Sequence, residues 1–238
     1  MRQIAIGDVH GCYHTLKALL ENKVQLTQSD QLYFLGDLID RGPLSKKVID
    51  YIQSLQQNGI DCHVLCGNHE EVACKAYRIE VENSQKKFRL FKSKNPTLDI
   101  WLKMGGEDFI KSFNVPNILD VPESYFSFME SLPNFIDLDS ALLVHAGFNF
   151  KIDDIFKDEH AMRWIRDFEV DLVKTNNKPV VHGHVPLPLE FIQQCIEDPN
   201  TTFIPLDNGC VYNTRIGMGN LLALELNSRT LFVQNNID

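Results

Sequence analysis

From Gln31 the chain reads Gln31-Leu32-Tyr33-Phe34-Leu35-Gly36-Asp37-Leu38-Ile39-Asp40-Arg41-Gly42, an apolar run that stops at a glycine and is followed by two acids and an arginine. A run of this length bounded by turn residues reads as a buried strand, with a tight polar turn at its carboxyl end. The same figure lies on either side of it. Ile4-Ala5-Ile6 runs into Gly7-Asp8-Val9-His10-Gly11, and Cys62 to Cys66 runs into Gly67-Asn68-His69-Glu70. Helical patterns fill the intervals, from about Tyr13 to Asn22 and from about Ser45 to Gln57. This βαβαβ order implies a parallel sheet.

Working outward, residues from about Glu70 to Met129 read mostly helical, with Leu98, Trp101, Leu102, Phe109 and Phe113 at helix-like spacing and Gly105-Gly106 as a break. After this helical insert (about 70–130) come short strand-like runs at Ala141 to Val144, Pro179 to Val181, Thr202 to Pro205, Leu221 to Leu226 and Thr230 to Val233. The expected fold class is α/β (α+β), a four-layer α/β/β/α sandwich with two mixed sheets face to face and helices outside. One domain over 1–238 is expected, because no Pro/Gly/Ser-rich linker divides the chain and its polar turns run from residue 7 to at least 207.

The 238 residues carry a formal charge of −9, which argues against a generic nucleic-acid binder, since such proteins attract the phosphate backbone with a basic field. The apolar N-terminal stretch is too short for a signal peptide, and no run approaches the ~18 apolar residues of a membrane span, so cytoplasm is the default expectation. The six cysteines are read as reduced thiols, and the Cys62/Cys66 spacing as buried small side chains. The one basic concentration, Lys86, Lys87, Arg89, Lys92 and Lys94, is read as a solvated helix face, or as a patch steering a phosphorylated partner if it overhangs the crevice.

In an open α/β sheet the carboxyl ends of the strands line one crevice, so the three turns should bring Asp8, His10, Asp37, Asn68 and His69 side by side. Two later strands end alike, Leu142-Leu143-Val144 running into His145-Ala146-Gly147 and Val180-Val181 into His182-Gly183-His184. Asp after Gly at a strand end is common turn chemistry, and a lone His there is commonly a core residue. Five such turns, all offering metal-ligand residue types, are hard to obtain by accident. Two carboxylates, an Asn and several His make the mixture of hard oxygen and borderline nitrogen donors that divalent manganese, iron or zinc accepts.

Gly-Asp-Val-His-Gly at 7–11, Gly-Asp-Leu-Ile-Asp-Arg-Gly at 36–42, Gly-Asn-His-Glu at 67–70, His145 and Gly183-His184-Val185-Pro186 together resemble the ordered signature of the calcineurin-like metallophosphoesterases. The second and third resemble the phosphoprotein phosphatase branch, in its bacterial serine/threonine phosphatase-like form. The resemblance implies two divalent metal ions, manganese first, one on Asp8, His10 and Asp37 and the other on Asp37, Asn68, His145 and His184. A bridging carboxylate suits cations about 3.5–4 Å apart that share one water as nucleophile. It also implies His69 as general acid, oriented by Asp40, and Arg41, Arg166 and Asn68 around the substrate phosphate, with Arg163 the rival of Arg166. Asp207 resembles a turn residue that orients a His ligand. Departures are Ala146, where many relatives have glycine, and the additional His182, read as a core residue.

The expected function is a metal-dependent phosphomonoesterase acting on a phosphorylated protein (serine/threonine, or tyrosine) or a small phosphoester, with neither nucleic acid nor membrane as partner. The alternative is a dinucleoside polyphosphate (diadenosine tetraphosphate) hydrolase, because Gly36–Pro43 and Trp101–Gly106 are also similar to the symmetrical tetraphosphate hydrolases. Asp40 separates the two, since those hydrolases typically lack an acid there. A non-enzymatic scaffold would be expected to have lost a ligand, and none is missing.

Overall fold

The computed structural model describes residues 1–85 and 94–238. Three strands, β1 (Gln3–Ile6), β2 (Gln31–Phe34) and β3 (Asp61–Val64), pair in parallel through the crossover helices α1 (Tyr13–Ala18) and α2 (Ser45–Gln57). The helical stretch after β3 contains α3 (Asn68–Gln85), α4 (Pro96–Trp101), α5 (Glu107–Ser112) and α6 (Glu123–Glu130). A second sheet follows, of β4 (Phe135–Asp137), β5 (Leu142–Val144), β6 (Val180–His182) and β7 (Phe203–Pro205), with α7 (Glu159–Trp164) and α8 (Leu189–Glu197) between its strands. The chain returns to the first sheet with β8 (Asn220–Glu225) and β9 (Thr230–Asn235). The sheet orders are β3-β2-β1-β8-β9 and β4-β5-β6-β7, and both are mixed, because β8, β9 and β4 run antiparallel to their neighbours.

Side chains that alternate along each strand divide the interior into layers. Ile4 and Ile6 of β1, with Leu32 and Phe34 of β2, face the cluster under α1, α2 and the helical stretch. Ala5, Tyr33 and Leu35 face the other way, onto Leu143, Val181, Ile204 and Leu206 of the second sheet or its strand ends. Leu142, Val144 and Val180 turn outward onto Phe148, Ile155 and Met162. The arrangement is the expected sandwich of two sheets with helices outside.

Several elements depart from the sequence expectations. The periodicity predicts one helix over 13–22, whereas α1 ends at Ala18 and a π-helical turn carries on from Leu19 to Val24. The β-rich tail also holds α7 and α8. Leu189, Ile192 and Ile196 give α8 a helical apolar stripe, but the prolines at 186 and 188 in front of it read as loop. Strand β4 was not foreseen, because its Pro133-Asn134 approach and Asp137 mask a three-residue strand. Gly105, at φ 115°, is the predicted break between helical segments, and the carbonyl there accepts the Arg41 N–H at 3.3 Å. All six cysteines are free thiols. Of the basic cluster, Lys86, Lys87, Arg89 and Lys92 lie outside the described residues, and Lys94 is exposed. Among the described residues, no helix is long and apolar enough to cross a membrane.

Asp30 closes the turn into β2. Its buried carboxylate accepts from the Arg2 guanidinium at 2.9 and 2.6 Å and from the Thr27 amide at 2.8 Å. The Arg2 hydrogen bond, against the opposing effect of burial, holds the carboxyl at about 2. A group whose folded value lies below its unfolded one stabilises above the unfolded value, near pH 4, and loses that contribution as pH falls through the folded value. Asp30→Asn is therefore expected to cost about 1–2 kcal/mol at pH 7, discounted for the partly exposed Arg2. Urea unfolding from pH 7 down to pH 2 should show the difference from wild type closing below about pH 4.

Candidate active site

The carboxyl ends of β1, β2, β3, β5 and β6 meet at one place, and the backbone stitches them together. The Asp37 carbonyl accepts the Val9 and His10 amides at 3.2 and 2.9 Å, Gly42 N–H reaches His10 O at 3.0 Å, and Gly183 N–H reaches His145 O at 2.8 Å. Two glycines allow the close approaches. A Cβ on Gly67 would meet Asp37 Oδ1 at 2.2 Å, and one on Gly183 would meet Asp8 Oδ1 at 2.1 Å. Left-handed backbone is costly for residues with a side chain. His10, Asp37, Asp40, Arg41 and His184 nonetheless adopt it, with φ between 45° and 71°. The turns hold these residues in a conformation they would not choose, which aims their side chains inward.

Asp37 lies between two groups of histidines. Its Oδ1 is 3.5 Å from His145 Nε2, while Oδ2 is 3.7 Å from His10 Nε2 and 3.9 Å from His69 Nε2. Burial works against its negative charge, but His145, His69 and His10 together hold the carboxyl well below the usual range. On the first side, His145 Nε2, His184 Nδ1 and Asn68 Oδ1 stand 2.9–3.2 Å apart. Bonds of about 2.0–2.1 Å to one tetrahedral ion require donors roughly 3.3–3.4 Å from one another. The three donors stand somewhat inside that spacing, and Asp37 Oδ1 adjoins them at 3.5 Å from His145 Nε2.

The histidine tautomers suit a ligand role. His10 Nδ1 lies 2.9 Å from the Ile39 carbonyl and His145 Nδ1 2.9 Å from the Leu35 carbonyl, so each donates there and turns its Nε2 lone pair inward. Burial, then Arg41, keeps His10 far below its ordinary value, and burial also lowers His145. Burial, with His145 and Arg166 nearby, lowers His184 to about 3. Neutral imidazoles are the form that binds metals.

Asp8 provides a separate test of fit. Its Oδ2 accepts the His184 amide at 3.0 Å, but Oδ1 is buried with no partner. Burial raises Asp8 well above its ordinary value, and Asp207 and Asp37 push it further. A buried carboxylate oxygen beside two further acids and without a donor is costly unless a cation meets it. The donor set therefore fits divalent ions.

The expected metal residues Asp8, His10, Asp37, Asn68, His145 and His184 all meet here. His10, Asp37 and His69 also form a tight set of possible donors, as do Asp37, His145 and His184, and Asp8 stands outside both. His69, expected as an acid, thus also belongs to the set on the His10 side of Asp37. Its Nδ1 is tied to Asp40 Oδ2 at 2.7 Å, and Asp40 is held from behind by the Trp101 indole N–H at 2.8 Å. Burial would lower His69, but the Asp37 charge and the Asp40 hydrogen bond outweigh it and raise the imidazole above its usual value. Arg41 bridges His10 Nε2 at 2.7 Å and His69 Nε2 at 3.0 Å, which puts a guanidinium at the mouth of the cluster.

Arg163 donates to Asn134 and pairs with Glu71 at 3.3 Å and Glu159 at 3.6 Å. Arg166 is exposed, and its charge acts on His184, so of the two it is the one left to face an anion. His182 is buried against Phe168 and Phe203, and burial lowers it to about 4. The Asp207 carboxylate accepts the Gly209 amide at 2.7 Å, and burial pushes it up to about 7.

Two residues were not foreseen as parts of the site. Glu70 accepts the amides of Asp37, Leu38 and Gly67 at 2.9, 2.8 and 3.0 Å, so it fixes the turn that carries Asp37. Trp101 is offered by the sequence as a helix-core residue and as the start of a stretch similar to the tetraphosphate hydrolases, not as a partner of Asp40. Its distance in sequence from Asp40 hides the contact, whereas Glu70 stands in the Gly-Asn-His-Glu turn itself and was the more legible of the two.

A site of this kind, acids and histidines at the strand ends of two facing sheets, defines a metal-binding hydrolase scaffold. The chain belongs to the calcineurin-like phosphoesterases, whose family model matches residues 1–211. It is 40% identical over 70 residues to a symmetrical bis(5'-nucleosyl)-tetraphosphatase of Erwinia tasmaniensis, a match that covers 29% of this chain and 24% of that protein. The chain thus spans about a quarter of the length of the curated relatives it matches. Its fold is similar to that of a protein serine/threonine phosphatase from Saccharomyces cerevisiae, with TM-score 0.62, 14% identity, and 99% of this chain and 79% of that one covered. It is also similar to a candidate diadenosine tetraphosphatase of known structure, with TM-score 0.60, 19% identity, and 100% and 94% covered.

Glu70→Gln would turn an amide NH2 toward backbone N–H donors. The expected cost is about 2–4 kcal/mol, read from urea unfolding, together with weaker manganese binding by titration calorimetry.

Proposed function

We propose that this chain is a metal-dependent phosphoryl hydrolase acting from one folded unit, with the phosphoanhydride chain of a dinucleoside polyphosphate as its preferred substrate. The observation that carries the hydrolase reading is Asp37, whose two carboxylate oxygens face different histidine groups within a set of buried donors. Asp8, His10 and Asp37 on one side, and Asp37, Asn68, His145 and His184 on the other, would hold two divalent cations. Such ions supply an activated water and neutralise phosphoryl oxygens.

The chain's own side chains account for the rest. Arg41, with its planar fork, is suited to grip two phosphoryl oxygens, and Arg166 adds a second positive charge at the rim. His69, oriented by Asp40, would protonate the leaving oxygen from Nε2. With Arg41 donating to that nitrogen at 3.0 Å, the guanidinium must first turn to an anion, so substrate phosphate binding and proton delivery are coupled.

For the substrate, the curated relatives named as symmetrical tetraphosphatases favour the dinucleotide over the phosphoprotein expected first from the sequence. A phosphomonoester reading keeps one specific observation. The Asp40–His69 pair at 2.7 Å suits a poor leaving group, whereas a phosphoanhydride leaves as an already stabilised phosphate.

Manganese-loaded protein should therefore hydrolyse diadenosine tetraphosphate with a higher kcat/KM than phosphoserine or phosphotyrosine peptides. The reverse order would restore the phosphoprotein reading. Asp37→Asn is expected to lower turnover on every substrate by about three orders of magnitude or more. His69→Asn should lower kcat on phosphoserine peptides about 100-fold while affecting p-nitrophenyl phosphate much less. Equal losses on the two would remove His69 from the acid role.

A further inference from the structure

Most described arginines are satisfied within the protein. Arg2, Arg78 and Arg163 pair with carboxylates, and Arg229 donates to main-chain carbonyls. Among the described residues, Arg41, Arg166, Arg215 and Arg229 have no carboxylate within ion-pair distance, and of these Arg229 is already spent on main-chain carbonyls. In a chain of net charge −9, guanidinium groups left without acids are informative. Arg41 and Arg166 already border the proposed site. Arg215 belongs to a loop with no part in the chemistry so far.

That loop, residues 209–219, is built to hold its shape. Asn208 fixes both ends, with its Nδ2 donating to Leu187 O and Gly217 O at 2.8 Å and its Oδ1 accepting from Asn220 Nδ2 at 2.7 Å. Gly219 N–H returns to the Asn208 carbonyl at 3.1 Å. Tyr212 turns back on Gly209 through a 2.7 Å backbone bond and packs its ring against it, since a Cβ at Gly209, whose φ is +64°, would meet the ring at 2.6 Å. The Tyr212 ring is then a fixed platform. Arg215 stacks on it with Cζ 4.1 Å from the centroid, and Arg41 Cζ lies 5.9 Å from the same centroid.

A guanidinium held over an aromatic ring can keep N–H groups free, and these can meet a phosphate in bidentate fashion. Stacking also removes part of the rotamer freedom that an exposed arginine would otherwise lose on binding. We propose that Tyr212 and Arg215 form a second anion subsite beside Arg41, one that takes a phosphoryl group further along a polyphosphate chain. This inference rests on the dinucleoside polyphosphate reading and adds to it the residues that would tell such a substrate from a simple monoester, which has no second phosphate to offer. Tyr212 acts here as a positioning residue for Arg215.

The test compares Arg215→Ala, Arg215→Lys and Tyr212→Ala with the wild-type manganese enzyme on diadenosine tetraphosphate and on p-nitrophenyl phosphate. It also measures inhibition of p-nitrophenyl phosphate hydrolysis by tripolyphosphate and by inorganic phosphate. Arg215→Ala is expected to raise KM for the dinucleotide, and the inhibition constant of tripolyphosphate, by about 10-fold or more. Parameters for p-nitrophenyl phosphate and inorganic phosphate should stay within about 2-fold, with Arg215→Lys in between. Unchanged tripolyphosphate inhibition, or an equal loss on all ligands, would overturn the subsite. Should the wild type ignore the dinucleotide while tripolyphosphate inhibition still weakens selectively in Arg215→Ala, the substrate reading fails and the subsite stands.

Discussion

The site depends on the placement of one carboxylate. Asp37 has an unfavoured backbone, its amide is held by Glu70, its carbonyl holds the Val9 and His10 amides, and its two oxygens face separate histidine groups. The interaction is both structural and chemical. The bonds that fix the second turn against the first are the ones that aim Asp37 between the donors, so the fold cannot shift there without moving the chemistry.

The electrostatic arrangement follows from that placement. Asp8, Asp37, Asp40, Glu70 and Asp207 are buried within a small volume. Such a concentration of acid is tolerable only where donors or cations answer it. Three backbone amides answer Glu70, and His69 with Trp101 answers one oxygen of Asp40, whose Oδ1 is buried without a partner. Asp8 retains an oxygen with no donor, beside histidines kept neutral by burial. Partnered and unpartnered polar atoms thus stand side by side in the site. The same distinction holds for the arginines, where Arg163 is tied to Glu71 and Arg166 and Arg215 are not.

Much of this was readable from residue order. Short apolar runs ending in Gly-Asp, Gly-Asn-His or a lone His imply parallel strands whose turns gather at one edge, and His10, Asp37, Asn68, His145 and His184 are drawn together there, with Asp8 outside the two donor sets. The alternation of Ile4, Ala5 and Ile6, or of Leu32, Tyr33 and Phe34, likewise implies strands covered on both faces. Elements without a local signal were not legible. A three-residue strand such as β4 has too few positions for a period, and α8 follows two prolines that suggest loop.

The sequence by itself determined the order of the polar turns, their gathering at one edge and the two-sheet plan, because these follow from side-chain period and turn chemistry acting over a few residues. Only the tertiary structure decided which groups are partnered and which are free. That Trp101 supports Asp40, that Arg163 is consumed by Glu71, and that Tyr212 carries Arg215 beside Arg41 are contacts between segments far apart in the chain. Such contacts depend on how layers pack and where loops are anchored, and short-range sequence pattern does not encode them.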